Sequence, residues 1–242
     1  MVQFLIDPKA ISNGGAKLKG EEARHARDVM RVQVGDAVRL FDGQGKGYEG
    51  KVAKLSPAAI DVEELKPFLS PTSRVQLSLA QSLLPHSAMD DLVHKATELG
   101  MKNLIPIVTR RTIVRLDGAK RDSKKEHWQK ITLAACKQCD RLDIPVVRDV
   151  MKFEDLPKLF GEFDLVILCE PLFPEETLKV CLARVFSVER ILIVTGPEGG
   201  FTEDEVKSAR AKGARCVSLG SGILKSETAA IFALSVLRYL NE

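Results

Sequence analysis

The sequence predicts an α/β protein, a small β-barrel followed by a larger layer of alternating strands and helices. Three observations carry that expectation. Residues 1 to about 68 read as short β-rich runs joined by tight turns. Beyond Pro67-Phe68-Leu69-Ser70-Pro71 the pattern changes to strands alternating with helical periods, which suits an α/β layer fold. Near the C-terminus two glycine-bearing loops each follow an apolar run and each lead into a helix. In open α/β sheets that is where ligands bind, outside the carboxyl ends of strands.

The chain has 242 residues, 45% hydrophobic and 29% charged, the size of one large domain or two ordinary ones and the composition of a globular protein. No apolar stretch reaches bilayer length, and the N-terminus lacks a basic-then-apolar pattern, so a cytoplasmic protein is expected. Cys136 and Cys139 form a lone C-x-x-C inside a helical pattern, with no second pair at zinc spacing. Reduced structural thiols are the expectation. His25, His86, His94 and His127 are scattered and form no H-E-x-x-H, so no metal is expected. The net charge of +3 is too small to imply a polyanion partner, and the distribution of charge says more.

In the first domain, residues 2–6, 37–41, 48–55 and 59–65 are the expected strands, with residues 42–47 a glycine-rich hairpin or loop. One helix is expected over residues 20–31. It places Arg24, Arg27 and Arg31 at i, i+3, i+7 on one face, with Ala26 and Val29 turned inward. The arginine face suits bulk solvent or a row of phosphates, and His25 beside it suits packing or base stacking. The two prolines between 67 and 71 mark a linker, dividing the chain into a barrel at 1–69 and a second domain at 70–242.

The second domain opens on a strand at 75–80 and a helix at 87–99. Ser87 is the expected N-cap, Gly100 comes after the last turn, and Met89, Leu92, Ala96 and Leu99 form the buried stripe. A strand at 103–108 precedes the most basic stretch: Arg110, Arg111, Arg115, Lys120, Arg121, Lys124 and Lys125, diluted by Asp117 and Asp122. Such a run is either a solvated loop or a polyanion contact. Ser123 is the expected cap of a helix reaching Cys139, with Trp128, Ile131 and Ala135 on one face. A buried strand at 165–169 ends at Glu170, and a helix over 175–186 leads to the strand 191–194.

There the first loop begins, Thr195-Gly196-Pro197-Glu198-Gly199-Gly200-Phe201-Thr202. Its glycines permit close backbone approach, Pro197 stiffens it, and Thr202 with Glu205 forms a capping box for a helix that ends at Gly213. It is neither G-x-G-x-x-G nor a P-loop, and Glu198 would repel a phosphate while suiting a cationic ligand such as a sulfonium. In the second loop, Leu219-Gly220-Ser221-Gly222-Ile223-Leu224-Lys225, Leu219, Ile223 and Leu224 offer apolar walls for a flat ring. Ser226 is the expected N-cap of a last helix, 227–240, apolar on nearly every side and expected in a deep core, a subunit interface or both.

Gly196-Pro197-Glu198-Gly199-Gly200-Phe201-Thr202, together with Leu219-Gly220 and Leu224-Lys225-Ser226-Glu227-Thr228-Ala229, resembles the RsmE-type 16S rRNA uridine N3-methyltransferases of the SPOUT superfamily. Upstream, His25-Ala26-Arg27-Asp28-Val29-Met30-Arg31 with Gly35-Asp36, Lys95-Ala96-Thr97-Glu98-Leu99-Gly100, and Trp128-Gln129-Lys130-Ile131 with Gln138 and Arg141 are similar to further family motifs in order. The resemblance implies a PUA-like barrel ahead of a SPOUT α/β domain knotted as a trefoil. It implies a homodimer, S-adenosylmethionine as cofactor, and as substrate the uridine conventionally numbered 1498 in 16S rRNA of the small ribosomal subunit. Another SPOUT enzyme acting on tRNA or ribose oxygen, and a non-catalytic RNA-binding dimer, are the rival readings.

On that resemblance, Leu168, Glu170, Thr195, Gly196, Pro197, Glu198 and Gly199 are expected to hold the donor, together with Leu219, Gly220, Ile223, Leu224 and Thr228. Glu198 or Glu227 is expected to take the N3 proton, and Arg141 or Lys225 to steady the uracil oxygens. Arg24, His25, Arg27, Arg31, Arg110, Arg111 and Arg115 are the expected RNA contacts. The chain departs from the family pattern at Gln3, where an arginine usually precedes the phenylalanine, and at Lys137, Ser221-Gly222 and Lys225.

Overall fold

A computed structural model describes residues 1–12, 14–69, 73–183 and 188–241. The chain forms two compact units. One comprises residues 1–72 together with 133–144, the other 73–132 together with 145–242.

The first unit contains strands β1 (Val2–Leu5), β2 (Ile11–Ser12), β3 (Gly15–Lys19), β4 (Ala37–Phe41), β5 (Lys46–Leu55) and β6 (Ala59–Leu69). They form one sheet in the order β1-β4-β5-β6-β3-β2, with β1 parallel to β4 and the remaining pairs antiparallel. Phe4, Leu18, Val38, Leu40, Val52, Ile60 and Val62 build its core. Gly43 and Gly45 adopt positive φ in the β4–β5 turn, as the glycine-rich stretch requires. Residues 67–69 are strand rather than linker: Tyr48 pairs with Pro67, Gly47 with Phe68 and Lys46 with Leu69. Pro67 is tolerated because β3 pairs with β6 only over 59–62, which leaves the far end of β6 with β5 on one side and room for a missing N–H on the other. Ser70 and Pro71 lie outside the described residues.

The single helix expected at 20–31 is shorter and changes type. The α-helix α1 (Gly20–Arg24) continues as a π turn over His25–Val29, where the Met30 amide donates to the His25 carbonyl. The wider turn rotates the residues beyond it out of the α-helical phase. Ala26 is buried as expected, but Val29 is 63% exposed, and Arg31 leaves the helix at φ +52. Three arginines therefore do not share one helical face. Residues 133–144 add Cys136 and Leu142 around Phe41, and Gln3 donates its side-chain amide to the carbonyls of Arg141 and Cys136. Lys137 pairs with Glu22 on α1.

The second unit contains β7 (Gln76–Ser82), α2 (His86–Glu98), β8 (Met101–Val108), α3 (Gly118–Gln138, whose last residues belong to the first unit), β9 (Val146–Val147), β10 (Met151–Lys152), β11 (Leu165–Cys169), β12 (Glu176–Thr177), α4 (Leu178–Ala183), β13 (Arg190–Thr195), α5 (Glu203–Ala211), β14 (Arg215–Ser218) and α6 (Ser226–Asn241). A 3₁₀ segment spans Phe153–Glu162. The sheet is parallel throughout, in the order β10-β8-β7-β13-β11-β14-β12, with β9 also on β8. The central strands β11 and β13 are buried on both faces and so read as continuous apolar runs. Ile191 and Ile193 face α2 and α6, whereas Leu192 and Val194 face the 3₁₀ segment and α5.

Several caps differ from expectation. Pro85, not Ser87, precedes α2, and Ser87 lies in its first turn. The helix α3 starts five residues ahead of Ser123, its Arg121 amide donating to the Asp117 carbonyl, so much of the basic stretch is helix rather than loop. The helix expected at 175–186 is β12 and then the shorter α4, and its end from residue 184 to 187 lies outside the described residues. On α6, Ala230, Ala233, Leu234 and Leu237 are buried, but Phe232 and Leu240 are exposed and Tyr239 is 83% exposed, so this helix is not buried all round. No helix among the described residues is long and apolar enough to cross a membrane.

Candidate active site

Three neighbouring strands, β13, β11 and β14, end side by side, with Cys169 of β11 in register with Thr195 of β13 and Val217 of β14. The first loop leaves β13, the second leaves β14, and Glu170 stands between them at the end of β11. This is the crevice position that strand order gives an α/β sheet.

The first loop is held at both ends. Gly200, at φ +68, closes a turn onto the Pro197 carbonyl at 2.9 Å. Phe201 is buried, its ring centroid 5.2 Å from that of Phe153. The expected capping box is present: Thr202 Oγ1 accepts from the Glu205 amide, and Glu205 Oε2 accepts from the Thr202 amide at 2.8 Å. Glu205 also accepts from the Arg110 amide at 2.9 Å, and Arg110 pairs with Asp204 at 3.0 Å. Arg111 donates to the carbonyls of Gly199 at 2.8 Å and Phe201 at 3.2 Å. Two of the expected RNA contacts are thus engaged in fastening the loop. Pro197 is buried, while Glu198 and Gly199 are exposed.

The second loop is open. From Gly220, at φ +142, to Lys225 every residue is exposed, and Ile223 is 78% exposed. An added Cβ at Gly220 or Gly222 would meet no atom within 4 Å. Leu219 is half-buried, as is Glu227, whereas Thr228 is exposed and Leu168 lies in the core beneath. Exposed Ile223 and Leu224 on a glycine-rich loop present an apolar surface to whatever enters the crevice.

Ser226 does not serve as the cap of α6. Its hydroxyl donates to the Gly196 carbonyl and accepts from Gln81 Nε2 at 2.8 Å. Gln81, fully buried at the end of β7, also accepts from Thr195 Oγ1 at 2.6 Å. Sequence reading missed Gln81, because one polar residue at a strand end makes no periodic signal.

Glu170 supplies the test of what the crevice fits. Its Oε1 accepts from the Leu172 amide at 2.7 Å, but its buried Oε2 has no hydrogen-bond partner among the described residues. A buried carboxylate oxygen left bare is satisfied by a cation or a hydroxyl donor. With Glu198 on the first loop, the donor set suits a ligand carrying positive charge and hydroxyls, which S-adenosylmethionine does. The neighbouring thiols offer no rival nucleophile, since burial pushes Cys169 up to about 12 and also raises Cys216.

Most of the remaining expected residues lie in the first unit. Arg141 pairs with Asp143 at 2.8 Å. His25 stands edge-on to Phe4, with centroids 6.3 Å apart. Arg27 pairs with Asp28 and donates to the Pro57 carbonyl at 2.6 Å, while Arg24 and Arg31 are exposed, as Arg115 is in the second unit.

Known proteins resemble this chain over most of its length. A family model described as an RNA methyltransferase domain matches residues 71–238, and one described as an RNA methyltransferase PUA domain matches residues 18–65. Ribosomal RNA small subunit methyltransferase E of Bacillus subtilis is 32% identical over 232 residues, covering 93% of this chain and 90% of that protein. Its namesake from Aquifex aeolicus is 31% identical and covers 91% of this chain and 92% of that protein. The crystal structure of Ribosomal RNA small subunit methyltransferase E from Neisseria gonorrhoeae, bound to S-adenosyl methionine, superposes with a TM-score of 0.87 at 28% identity, covering 99% of this chain and 98% of that one. A Legionella pneumophila protein in complex with the cofactor SAM gives a TM-score of 0.87 at 26% identity, over 99% of this chain and 97% of that one.

Proposed function

This chain belongs to the ribosomal RNA small subunit methyltransferase E family, and we propose that it methylates uridine N3 in 16S rRNA with S-adenosylmethionine as donor. The observation that carries the reading is the crevice at the ends of β13, β11 and β14, where two glycine loops flank a buried, half-partnered Glu170 carboxylate. Glu170, the 195–199 backbone, Leu219, Gly220, Ile223, Leu224 and Thr228 are the groups assigned to hold the donor.

The bound donor supplies an electrophilic methyl carbon on a sulfonium. The work of the chain is to bring uracil N3 into line with that carbon, which accounts for much of the rate in such a displacement. Neutral uracil carries a proton on N3, so a base is needed to receive it as the N3 electron pair forms the new C–N bond and the methyl–sulfur bond breaks, its electron pair staying on sulfur as a neutral thioether. Glu198, exposed on the first loop, or Glu227, in the first turn of α6, is assigned that role. Arg141 or Lys225 is assigned the negative charge that builds on the uracil oxygens.

The basic residues Arg24, Arg31 and Arg115, exposed to solvent, are assigned to RNA phosphates, and His25, Arg27, Arg110 and Arg111 are assigned to the RNA as well. We assign the barrel to 1–69 and the methyltransferase domain, with its trefoil knot, to 70–242. A homodimer is supported by the exposed Phe232, Tyr239 and Leu240 of α6, and the small ribosomal subunit in the cytoplasm is the proposed setting.

Mass mapping of small-subunit RNA from a strain lacking this chain tests the assignment. Loss of one methyl group at the expected uridine, restored by the wild-type chain, is the expected result. An unchanged uridine would sink it. A Glu198→Gln protein that binds donor normally yet methylates at full rate removes that residue from the base role.

A further inference from the structure

Beneath the two loops of the crevice lies a closed ring of polar contacts. Thr195 Oγ1 meets Gln81 Oε1 at 2.6 Å, Gln81 Nε2 meets Ser226 Oγ at 2.8 Å, and Ser226 Oγ meets the Gly196 carbonyl, which is bonded through its peptide back to Thr195. Gln81 Nε2 also meets the Ser82 carbonyl at 2.9 Å.

Hydrogen directions in this ring are fixed by chemistry. The Ser82 and Gly196 carbonyls can only accept. The carboxamide nitrogen must therefore face Ser82, which puts the Gln81 oxygen against Thr195 and makes the Thr195 hydroxyl the donor. The second Nε2 hydrogen goes to Ser226 Oγ, whose own hydrogen then goes to Gly196. Both carboxamide hydrogens of Gln81 are used, and the ring runs in one direction.

A fully buried carboxamide is an expensive way to fill a strand end, since methionine or leucine would fill the volume without needing three partners. What the carboxamide adds is direction. It ties the first residue of the first loop to the residue that ends the second, across 145 positions of chain on one side and 114 on the other. We propose that Gln81 is the positioning residue of the donor pocket, setting the spacing of the two loops through Thr195 and Ser226. The proposal rests on the crevice being the donor site.

The test compares the full chain with Gln81→Met, Thr195→Val and Ser226→Ala. Gln81→Met is expected to raise the Kd and KM for S-adenosylmethionine by about tenfold while kcat at saturating donor stays within about threefold, the pattern of lost ground-state binding. The Gln81→Met/Ser226→Ala double variant should be no weaker than the worse single, because both open one ring. Val93→Ala, which empties part of the apolar core beside α2 and removes no polar group of the ring, controls for general loosening and should leave KM unchanged. A donor Kd within twofold of wild type in Gln81→Met, or an equal KM rise in Val93→Ala, overturns the proposal. If Gln81→Met fails to fold, Thr195→Val carries the same comparison. Failure of the wild-type chain to bind the donor overturns the functional reading instead. The ring is then judged by hydrogen exchange of amides 198–203, which Gln81→Met should accelerate and which, if unchanged, overturns it.

Discussion

Gly196→Ala isolates one steric fact about the first loop. The Gly196 φ lies outside the left-handed region, so alanine is compatible with the backbone. Its Cβ, however, would lie 3.1 Å from Cε2 of Phe201 and 3.3 Å from two further ring atoms. Phe201 is buried against Phe153 and has no room to retreat. Overpacking of this kind destabilises by about 1–3 kcal/mol. Removing a glycine from the unfolded chain returns about 0.4–1 kcal/mol. The middle of each range leaves a net loss of about 1.3 kcal/mol, or a fall in Tm of roughly 3–5 °C for a chain of this size. Gly222→Ala in the second loop is the matched control, since its Cβ meets nothing and its φ is also permissive, so its Tm should hold or rise slightly. Thermal unfolding monitored by circular dichroism reads both. In a Phe201→Leu background the Gly196→Ala penalty should shrink, because the ring it strikes is gone. Equal Tm values for the two alanine variants, or an undiminished penalty in the leucine background, would refute the reasoning.

Two further perturbations act on local contacts. Arg190, bidentate to Asp164, holds that carboxyl down to about 2. A depressed carboxylate contributes stability above its unfolded value near 3.9 that is lost as pH falls toward 2, so an NMR titration of Asp164 should move up in Arg190→Met, and an unmoved midpoint refutes the pairing. Thr202→Ala removes one half of the α5 capping box and should lower stability by about 1 kcal/mol in urea unfolding, with no change in midpoint as the contrary result.

Much of this architecture was legible in the sequence because apolar continuity and glycine placement are strong signals. The run Ile191-Leu192-Ile193-Val194 is a strand buried on both faces, and Thr202 with Glu205 caps α5 as their spacing requires. The local reading of serines as caps failed. Ser226 has a cap-like position, but its hydroxyl is taken by Gly196 and Gln81, contacts that only the folded sheet brings near. The Arg24, Arg27, Arg31 face failed for a different reason, since one π turn breaks the 3.6-residue spacing that would align them. Gln81 and the bare oxygen of Glu170 were invisible or unremarkable as letters, because burial and the lack of a partner are properties of packing.

The strand order has a consequence for the chain as it is made. In the finished sheet β7 lies between β8 and β13. The ribosome delivers β8 soon after β7, but β13 begins only at Arg190. For the synthesis of about a hundred residues, at roughly 5–20 residues per second, one side of β7 is therefore an unpaired sheet edge carrying Leu77 and Leu79. Such edges recruit foreign strands. The nascent chain meets an aggregation hazard in this interval, and the emergence of β13 both ends it and brings Thr195 to Gln81.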